Sequence, residues 1–201
     1  MPTLPQTLLQ LAGAPLHPAP LDRAALVLID HQMEYVDGNV RLAGMDAAID
    51  EAAALLALAR RHGVPVFHVL HHGRPGGAVF DPNGPGVAVI PTLAPLPGEQ
   101  TVVKSLPNSF AATDLHARIQ ASGRTELIVA GFATHMCVSA TTRAALDLGY
   151  RTTVVAAACA TRDLPAPDGG VVAAHTLHRA ELAALADRFA IVVADVSAWA
   201  K

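Results

Sequence analysis

The sequence predicts an α/β domain with three α/β/α layers, in which a Rossmann-like, six-stranded, mainly parallel sheet carries helices on both faces. Short continuous apolar runs, typical of strands buried on both faces, recur along the chain. Between them lie stretches with apolar residues at helical spacing, which gives the alternation of strands and helices found in parallel sheets. The 201 residues suffice for one filled core, and no break in composition divides them.

The individual elements follow from the same patterns. Six apolar runs are predicted strands: 24–29, 64–70, 101–104, 127–130, 150–158 and 190–194. Helices are predicted over 45–62, around Leu115 and Ile119, over 135–148, and from near Asp168 onward. The segment 71–98 is rich in glycine and proline and is predicted as a long loop, a kind of segment that is commonly functional or mobile.

Residues 1–22 fall outside this alternation. They are rich in proline with one apolar patch at 8–11, and they are predicted as an N-terminal arm in front of a single domain over 23–201. The arm lacks the basic start and unbroken apolar core of a signal peptide, and no run approaches the roughly 18 residues that span a membrane. We therefore expect a cytoplasmic protein without a membrane partner.

The composition favours a small-molecule partner and self-association. The formal net charge is -3 and lysine and arginine do not cluster, which argues against nucleic acid as a partner. With 52% hydrophobic and 15% charged residues, the chain is more apolar than a small monomer requires. We expect part of the apolar surface to lie in the interface of a homo-oligomer, either a dimer or a tetramer.

The stretch 127–137 carries the strongest functional signal. A buried strand leads through Gly131 to Thr134, which can cap a helix that begins at His135, so that Cys137 falls in the first helical turn. Free backbone N–H groups and the helix dipole at that position favour a thiolate and can hold an oxyanion. The alternative is that Cys137 is merely a small buried apolar residue.

Two polar residues end other strands at the same predicted edge of the sheet. Asp30 follows the first strand and Lys104 ends the third, and open α/β sheets bind their ligands at this edge. Alone, Asp30 could cap a turn and Lys104 could be a solvated edge residue. Together with Cys137, the ammonium would lower the pKa of the thiol, and Asp30 could take the thiol proton and return it to a leaving amine. Cys159 is expected to pack in the core, since it forms no Cys-x-x-Cys redox pair with Cys137.

Three ordered motifs resemble the isochorismatase-like cysteine hydrolases, a family that includes nicotinamidases and N-carbamoylsarcosine amidohydrolases. The motifs are VLIDHQ at 27–32, VKSLPNSFAATDL at 103–115 and VAGFATHMCV at 129–138, and the resemblance runs from about 24 to 193. It implies that Asp30, Lys104 and Cys137 form the family's triad, which cleaves a C–N amide bond of a small molecule through a thioester on the cysteine. It also implies a cis peptide between Phe132 and Ala133, and an oxyanion hole formed by the N–H groups of Ala133 and Cys137.

Two other functions stay open. True isochorismatases cleave a vinyl ether, and some of them have no cysteine at this position, so the presence of Cys137 favours the amidases. A catalytically silent relative would bind a small ligand without turning it over, and an intact triad argues against that reading.

Further residues are candidates for the pocket. Seven are expected to bind the substrate: Gln32, Tyr35, His71, His72, Phe80, Phe110 and His135. The resemblance also raises the question of a metal, because nicotinamidases hold a divalent ion with an Asp-x-His pattern. Here His68, His71 and His72 straddle a strand end, where alternate side chains diverge, and no Asp-x-His accompanies them. We therefore predict no metal and no cofactor, and a small amide other than nicotinamide as the substrate.

Overall fold

A computed structural model describes residues 4–200 and contains the predicted sheet. Its strands are β1 (Ala24–Ile29), β2 (Val66–His71), β3 (Gln100–Lys104), β4 (Glu126–Phe132), β5 (Arg151–Ala160) and β6 (Ile191–Val193). They lie in the order β3-β2-β1-β4-β5-β6, and every pairing between neighbours is parallel. The predicted fold class is confirmed, with the carboxyl ends of β1, β3 and β4 on one edge.

Helices cover both faces of this sheet. Within the described residues they are α1 (Leu8–Leu11), α2 (Met45–Arg61), α3 (Leu115–Ala121), α4 (Ser139–Asp147) and α5 (Ala174–Arg188). Alternate residues of β1 divide between two buried clusters: Leu26 and Leu28 lie in the cluster with α2, and Val27 and Ile29 lie in the cluster with α3, α4 and α5. The all-buried pattern of β1 and β4 follows from this two-sided cover.

The start of the last helix differs from the sequence-based prediction, and the predicted 71–98 loop has local structure of its own. The last long helix begins at Ala174 and not near Asp168, because the chain first forms a small antiparallel hairpin that pairs Leu164–Pro165 with Val171–Val172. Gly169, at φ +92°, turns this hairpin. The segment 71–98 contains short 3-10 turns at Pro85–Val87 and Pro91–Leu93. A β-bridge between Val89 and Gln32 holds the segment against the residues that follow β1.

The N-terminal arm packs loosely along the domain. Helix α1 has no buried residue, and its N-terminal Leu8 N–H donates to Asp187. Farther along, Ala19 is buried and its carbonyl accepts from the indole N–H of Trp199 at 2.9 Å. Exposed leucines on this arm give the predicted homo-oligomer a possible contact surface, and the oligomer itself stays a prediction. Within the described residues, every helix is too short or too polar to cross a bilayer.

Close contact between β1 and β4 shapes the edge that carries the polar residues. Gly131 has φ +146°, and a Cβ built there would lie 2.2 Å from the carbonyl oxygen of Ile29. Only glycine allows the two backbones to approach this closely. Strand β5 pairs with β4 on its other edge. There Val129 pairs with Val154, but Gly131, two residues later, pairs with Cys159, so β5 contains a bulge between these two pairs.

Glu99 fastens the end of the long loop to helix α2 and strand β2, through Arg60 and His68. Its carboxylate accepts from Arg60 at 2.7 and 2.9 Å, from His68 Nε2 at 2.8 Å and from the Leu96 N–H at 2.9 Å. Burial raises the pKa of Glu99, but the hydrogen bonds from Arg60, Leu96 and His68 outweigh it and hold the pKa at about 2. Because the pKa of Glu99 is lower in the folded than in the unfolded chain, the carboxylate stabilises the fold at any pH above the unfolded value of 4.5. That stabilisation is lost as the pH falls toward 2.

Replacing Glu99 with Gln is therefore expected to lower the free energy of unfolding by about 2 kcal/mol at pH 7. The difference from the wild type should shrink between pH 4.5 and pH 2, as measured by urea denaturation. Asp114→Asn is the control, because its ion pair with Arg118 is exposed and should contribute less than about 1 kcal/mol. A Glu99→Gln effect that is independent of pH would contradict the assignment.

Candidate active site

Three chain segments bring polar side chains to one buried point at the carboxyl edge of the sheet. Asp30 follows β1, Lys104 is the last residue of β3, and Cys137 lies in a π-helical turn, Thr134–Val138, that follows β4. All three are at most 3% exposed. Strand β2 separates β3 from β1, so the long lysine side chain has to reach across the end of β2 to meet the other two residues.

Lys104 connects the other two residues. Its Nζ donates to Asp30 Oδ2 at 2.8 Å and lies 3.3 Å from Cys137 Sγ. Asp30 Oδ1 is buried and has no hydrogen-bond partner among the described residues, which leaves it able to accept a proton. Lys104 thus joins a buried carboxylate and a buried thiol at one point.

The electrostatics of the cysteine differ from the expectation of a preformed thiolate. Burial raises the pKa of the Cys137 thiol to about 12; the Asp30 charge raises it as well, and Lys104 lowers it less. Burial and the Asp30 charge thus disfavour the thiolate in the resting site, and the Lys104 ammonium favours it. Burial also raises the pKa of Asp30 above its usual 3.8, against the lowering effect of Lys104.

Thr134 does not cap the helix as predicted. Ala133 occupies the N-cap position, and the Thr134 hydroxyl donates to the carbonyl of Ala160 at 3.0 Å, with His178 Nδ1 at 2.9 Å. The first turn is π-helical, which a spacing rule based on 3.6 residues per turn does not anticipate. The hydroxyl links the cysteine turn to β5 and α5 instead.

The backbone directs Asp30 into the site. Its φ is +55°, a left-handed conformation that aspartate tolerates better than most residues. Its N–H donates to the Val69 carbonyl at 2.8 Å and its carbonyl accepts from the Gln32 N–H at 2.8 Å. The carboxylate accepts from Lys104 and does not cap the following turn, which was the alternative role for Asp30.

Gln32 is fully buried and supports the 71–98 loop, and its predicted contact with substrate stays a prediction. Its Oε1 accepts from the His71 N–H at 2.7 Å, and its Nε2 donates to the carbonyls of His71 and Val87, both at 3.0 Å. Both ends of the amide are thus used within the chain. Gln32 fixes the start of the 71–98 loop to the turn after β1.

Tyr35, His71 and Phe80 form one aromatic wall beside Lys104. Phe80 lies 5.1 Å from Tyr35 and 5.0 Å from His71 in edge-to-face contacts between ring centroids. His71 Nδ1 is 3.3 Å from Lys104 Nζ. Burial, Lys104 and His72 lower the pKa of His71 to about 4, so the ring is neutral at pH 7 and can accept from the ammonium. These three predicted pocket residues do come together.

The remaining predicted pocket residues lie in different places. His72 is half-buried and its N–H donates to the Lys104 carbonyl at 2.9 Å, which extends the pairing of β2 with β3. Phe110 stacks on Tyr150 at 6.1 Å between ring centroids and contacts the His116 ring, and its role in binding substrate stays a prediction. His135 pairs through Nδ1 with the hydroxyl of Thr161, and its Nε2 is buried without a partner among the described residues.

The peptide bond between Phe132 and Ala133 is cis in the structure. The Phe132 ring is fully buried between His31, at 4.7 Å, and Tyr35, at 5.9 Å. His31, which the sequence analysis did not single out, is buried beside Asp30 with neither ring nitrogen hydrogen-bonded among residues 4–200. Burial, followed by the nearby His68, lowers the pKa of His31 to about 3. Its position between Asp30 and Gln32 in the motif was the available signal.

Arg162 is a second residue that the sequence did not single out. It follows β5, is half-buried, and its guanidinium contacts the Asp163 carbonyl at 3.5 Å. Burial lowers the pKa of His135, and the positive charge of Arg162 lowers it further. A cavity of about 480 Å³ lies beside it, lined also by Arg41 and Asn39. No sequence motif marks this position, because only the folded loops bring it near the cysteine turn.

The three histidines weighed as metal ligands do not converge. His68 Nε2 donates to Glu99, whereas His71 Nδ1 faces Lys104 Nζ, so the two rings have different partners. Among residues 4–200, no group of three or more histidine, cysteine, aspartate or glutamate side chains is arranged to hold a metal ion.

The doubly wound parallel sheet brings Asp30, Lys104 and Cys137 together at its carboxyl edge, where open α/β sheets bind their ligands. The chain belongs to the isochorismatase family: the model of the isochorismatase domain matches residues 24–195. It is 42% identical over 170 residues to the isochorismatase family protein YddQ of Bacillus subtilis. The aligned region covers 84% of this chain and 94% of that protein.

Other similarities agree with this assignment. A streptothricin hydrolase of Streptomyces noursei is 40% identical over 84% of this chain, which corresponds to 61% of that enzyme. The crystal structure of an isochorismatase from Pseudomonas putida KT2440 superposes with a TM-score of 0.91 at 46% identity, and the match covers 95% of this chain and 97% of the other. The protein is therefore a hydrolase of the isochorismatase family.

Proposed function

We propose that the protein cleaves a C–N amide bond of a small molecule through a thioester on Cys137. The observation that carries this proposal is the position of Lys104 Nζ, within hydrogen-bonding distance of both Asp30 and Cys137. A buried ammonium between a carboxylate and a thiol compensates the negative charge wherever the proton is, so the proton can move between them at low cost.

The first half of the reaction forms the thioester. Asp30 accepts the thiol proton as the sulfur of Cys137 attacks the amide carbonyl, so a C–S bond forms and the carbonyl oxygen becomes an oxyanion. Backbone N–H groups at Cys137 and Ala133 are the predicted donors to that oxyanion. When the intermediate collapses, the C–N bond breaks and Asp30 gives its proton to the departing amine.

The second half releases the acid. Asp30, again ionised, takes a proton from water, and the oxygen of that water attacks the thioester carbonyl. The C–S bond then breaks, the carboxylic acid leaves, and the proton returns to Cys137. Lys104 takes no part in these proton transfers: its role is to balance charge and to hold the other two side chains in place.

The substrate of this proposal carries an acidic group. Arg162 places a positive charge near the cysteine turn, and its guanidinium contacts only a carbonyl oxygen among the described residues. Guanidinium groups bind carboxylates with well-oriented hydrogen bonds. A relative from Pseudomonas putida, 32% identical over 149 residues, is a maleamate amidohydrolase. Half-amides of dicarboxylic acids and ureido acids are therefore the first compounds to test.

The test is ammonia release from half-amides, ureido acids, neutral primary amides and nicotinamide. Wild type is compared with Cys137→Ala, and with Cys159→Ala as the matched control at the second cysteine, which packs in the core beside Gly131. We expect release only from acidic amides, abolished in Cys137→Ala and retained in Cys159→Ala. Arg162→Gln should raise the KM for these substrates about tenfold or more.

Other outcomes would redirect the proposal. Silence across the panel, with Cys137 alkylated faster than Cys159, would indicate another scissile bond, such as the vinyl ether of an isochorismatase. Silence with an unreactive Cys137 would favour a ligand-binding relative. The cytoplasmic location and the homo-oligomer remain predictions, and one relative from Verticillium dahliae is described as a secreted effector.

A further inference from the structure

Glu34 is a buried carboxylate that contacts the backbone of the aromatic wall. It lies in the turn after β1 and is 6% exposed. Its Oε2 accepts from the Phe80 N–H at 3.2 Å, and its Oε1 accepts from the Asn39 N–H at 2.7 Å. Each oxygen thus serves a backbone donor from a different segment. One side chain therefore joins the turn after β1 to the 71–98 loop.

The backbone at Phe80 is held from both sides. Its φ is +51°, a left-handed conformation that costs free energy in a residue with a bulky side chain. Its N–H donates to Glu34, and its carbonyl accepts from the Gly73 N–H at 2.8 Å. These bonds place the Phe80 ring 5.0 Å from the His71 ring, and His71 Nδ1 lies 3.3 Å from Lys104 Nζ. A short chain of contacts therefore leads from Glu34 to the triad.

Gly86 leaves the space that the Glu34 carboxylate occupies. A Cβ built at Gly86 would lie 2.2 Å from Glu34 Oε2, and the next nearest atoms, Cδ and Cβ of the same side chain, would be 3.2 and 3.4 Å away. The φ of Gly86 is not positive, so its backbone conformation does not require glycine. The position of the carboxylate, rather than the backbone, excludes a larger residue there.

We propose that Glu34 is a positioning residue that acts through Phe80: its carboxylate fixes the Phe80 ring, and with it the aromatic wall, in the place where the wall contacts the substrate beside Lys104. This rests on the proposed amide hydrolysis and on the predicted contact of the aromatic wall with substrate. Glu34 does not touch the reacting atoms, so its loss should weaken substrate binding more than it slows bond breaking.

Glu34→Gln and Gly86→Ala test this role independently. Glutamine keeps the size of the side chain, but its NH₂ group would face one of the two backbone donors. Alanine at position 86 displaces the end of a flexible side chain and leaves Glu34 itself unchanged, so this variant should fold even where Glu34→Gln does not. For both, we expect the KM for the half-amide or ureido acid that the wild type hydrolyses to rise about tenfold, with kcat within about threefold of the wild type.

Each variant has a matched control. Glu51→Gln alters a carboxylate that also accepts from a backbone N–H, that of Val196 at 2.6 Å. Gly84→Ala adds a Cβ in the same loop as Gly86, but its nearest atom would be 3.4 Å away, which is ordinary van der Waals contact. Both controls should leave KM unchanged.

Phe80→Ala supplies the measurement that separates positioning from a general structural role. If Glu34 acts through Phe80, then Glu34→Gln and Gly86→Ala should raise KM in the wild type but not in Phe80→Ala. Effects on KM that add in the double variants, or an unchanged KM in Gly86→Ala, would overturn the role of Glu34 alone. A wild type without Cys137-dependent turnover would overturn the proposed hydrolysis and this role with it.

Discussion

Replacing Asp30 with Asn is expected to slow amide hydrolysis by at least about 10³-fold and, at the same time, to make the Cys137 sulfur easier to alkylate at pH 7. Hydrolysis slows because no group remains to take the thiol proton and deliver it to the amine. Alkylation accelerates because the Asp30 charge raises the pKa of the thiol, whereas Lys104 lowers it. Asparagine tolerates the left-handed backbone at this position, so the variant should fold.

The measurements are ammonia release and the rate of iodoacetamide labelling between pH 5 and pH 9. Lys104→Met is the opposite variant, since it removes the cation and should slow both hydrolysis and labelling. In the wild type, hydrolysis should decline on the acidic side at a pH above 3.8, because burial raises the pKa of Asp30. Labelling that slows in Asp30→Asn would refute the assignment of Asp30 as the base.

Replacing Gly131 with Ala is expected to destabilise the fold by about 3 to 5 kcal/mol, enough to unfold much of a marginally stable protein. An alanine Cβ would lie 2.2 Å from the Ile29 carbonyl oxygen and 2.8 Å from the Ile29 Cβ. The φ of +146° adds strain for any residue with a side chain. To relieve the contact, β4 would have to separate from β1, which would also move the cysteine turn away from Asp30.

Gly123→Ala is the matched control for this prediction. Gly123 also has a positive φ, +72°, but nothing lies within 4 Å of the position that its Cβ would take. It should cost about 1 kcal/mol, from the backbone conformation alone. Urea denaturation and the yield of folded protein measure both variants. Equal losses for the two glycines would mean that close strand contact at Gly131 contributes nothing.

Local patterns predicted most of the architecture correctly, and their errors are instructive. Apolar runs placed all six strands of the sheet, and the signal was strongest in β1 and β4, because a strand covered on both faces must be apolar throughout. The start of the last helix was misplaced because a two-residue hairpin has too few residues to produce a periodic pattern. Thr134 was expected to cap a helix, a rule that assumes α-helical geometry, and the chain adopts a π-helical turn there.

By itself the sequence determined the sheet, its helical cover, the family resemblance and the three residues at the strand ends, since strand direction alone puts Asp30, Lys104 and Cys137 on one edge. Only the tertiary structure decided how they meet. Lys104 contacts Asp30 across 74 residues and Cys137 across 33, through a side chain that crosses the end of β2. It also decided that the Gln32 amide hydrogen-bonds the loop and that the pKa of the Cys137 thiol is raised, because desolvation and hydrogen-bond partners come from segments far apart in the chain.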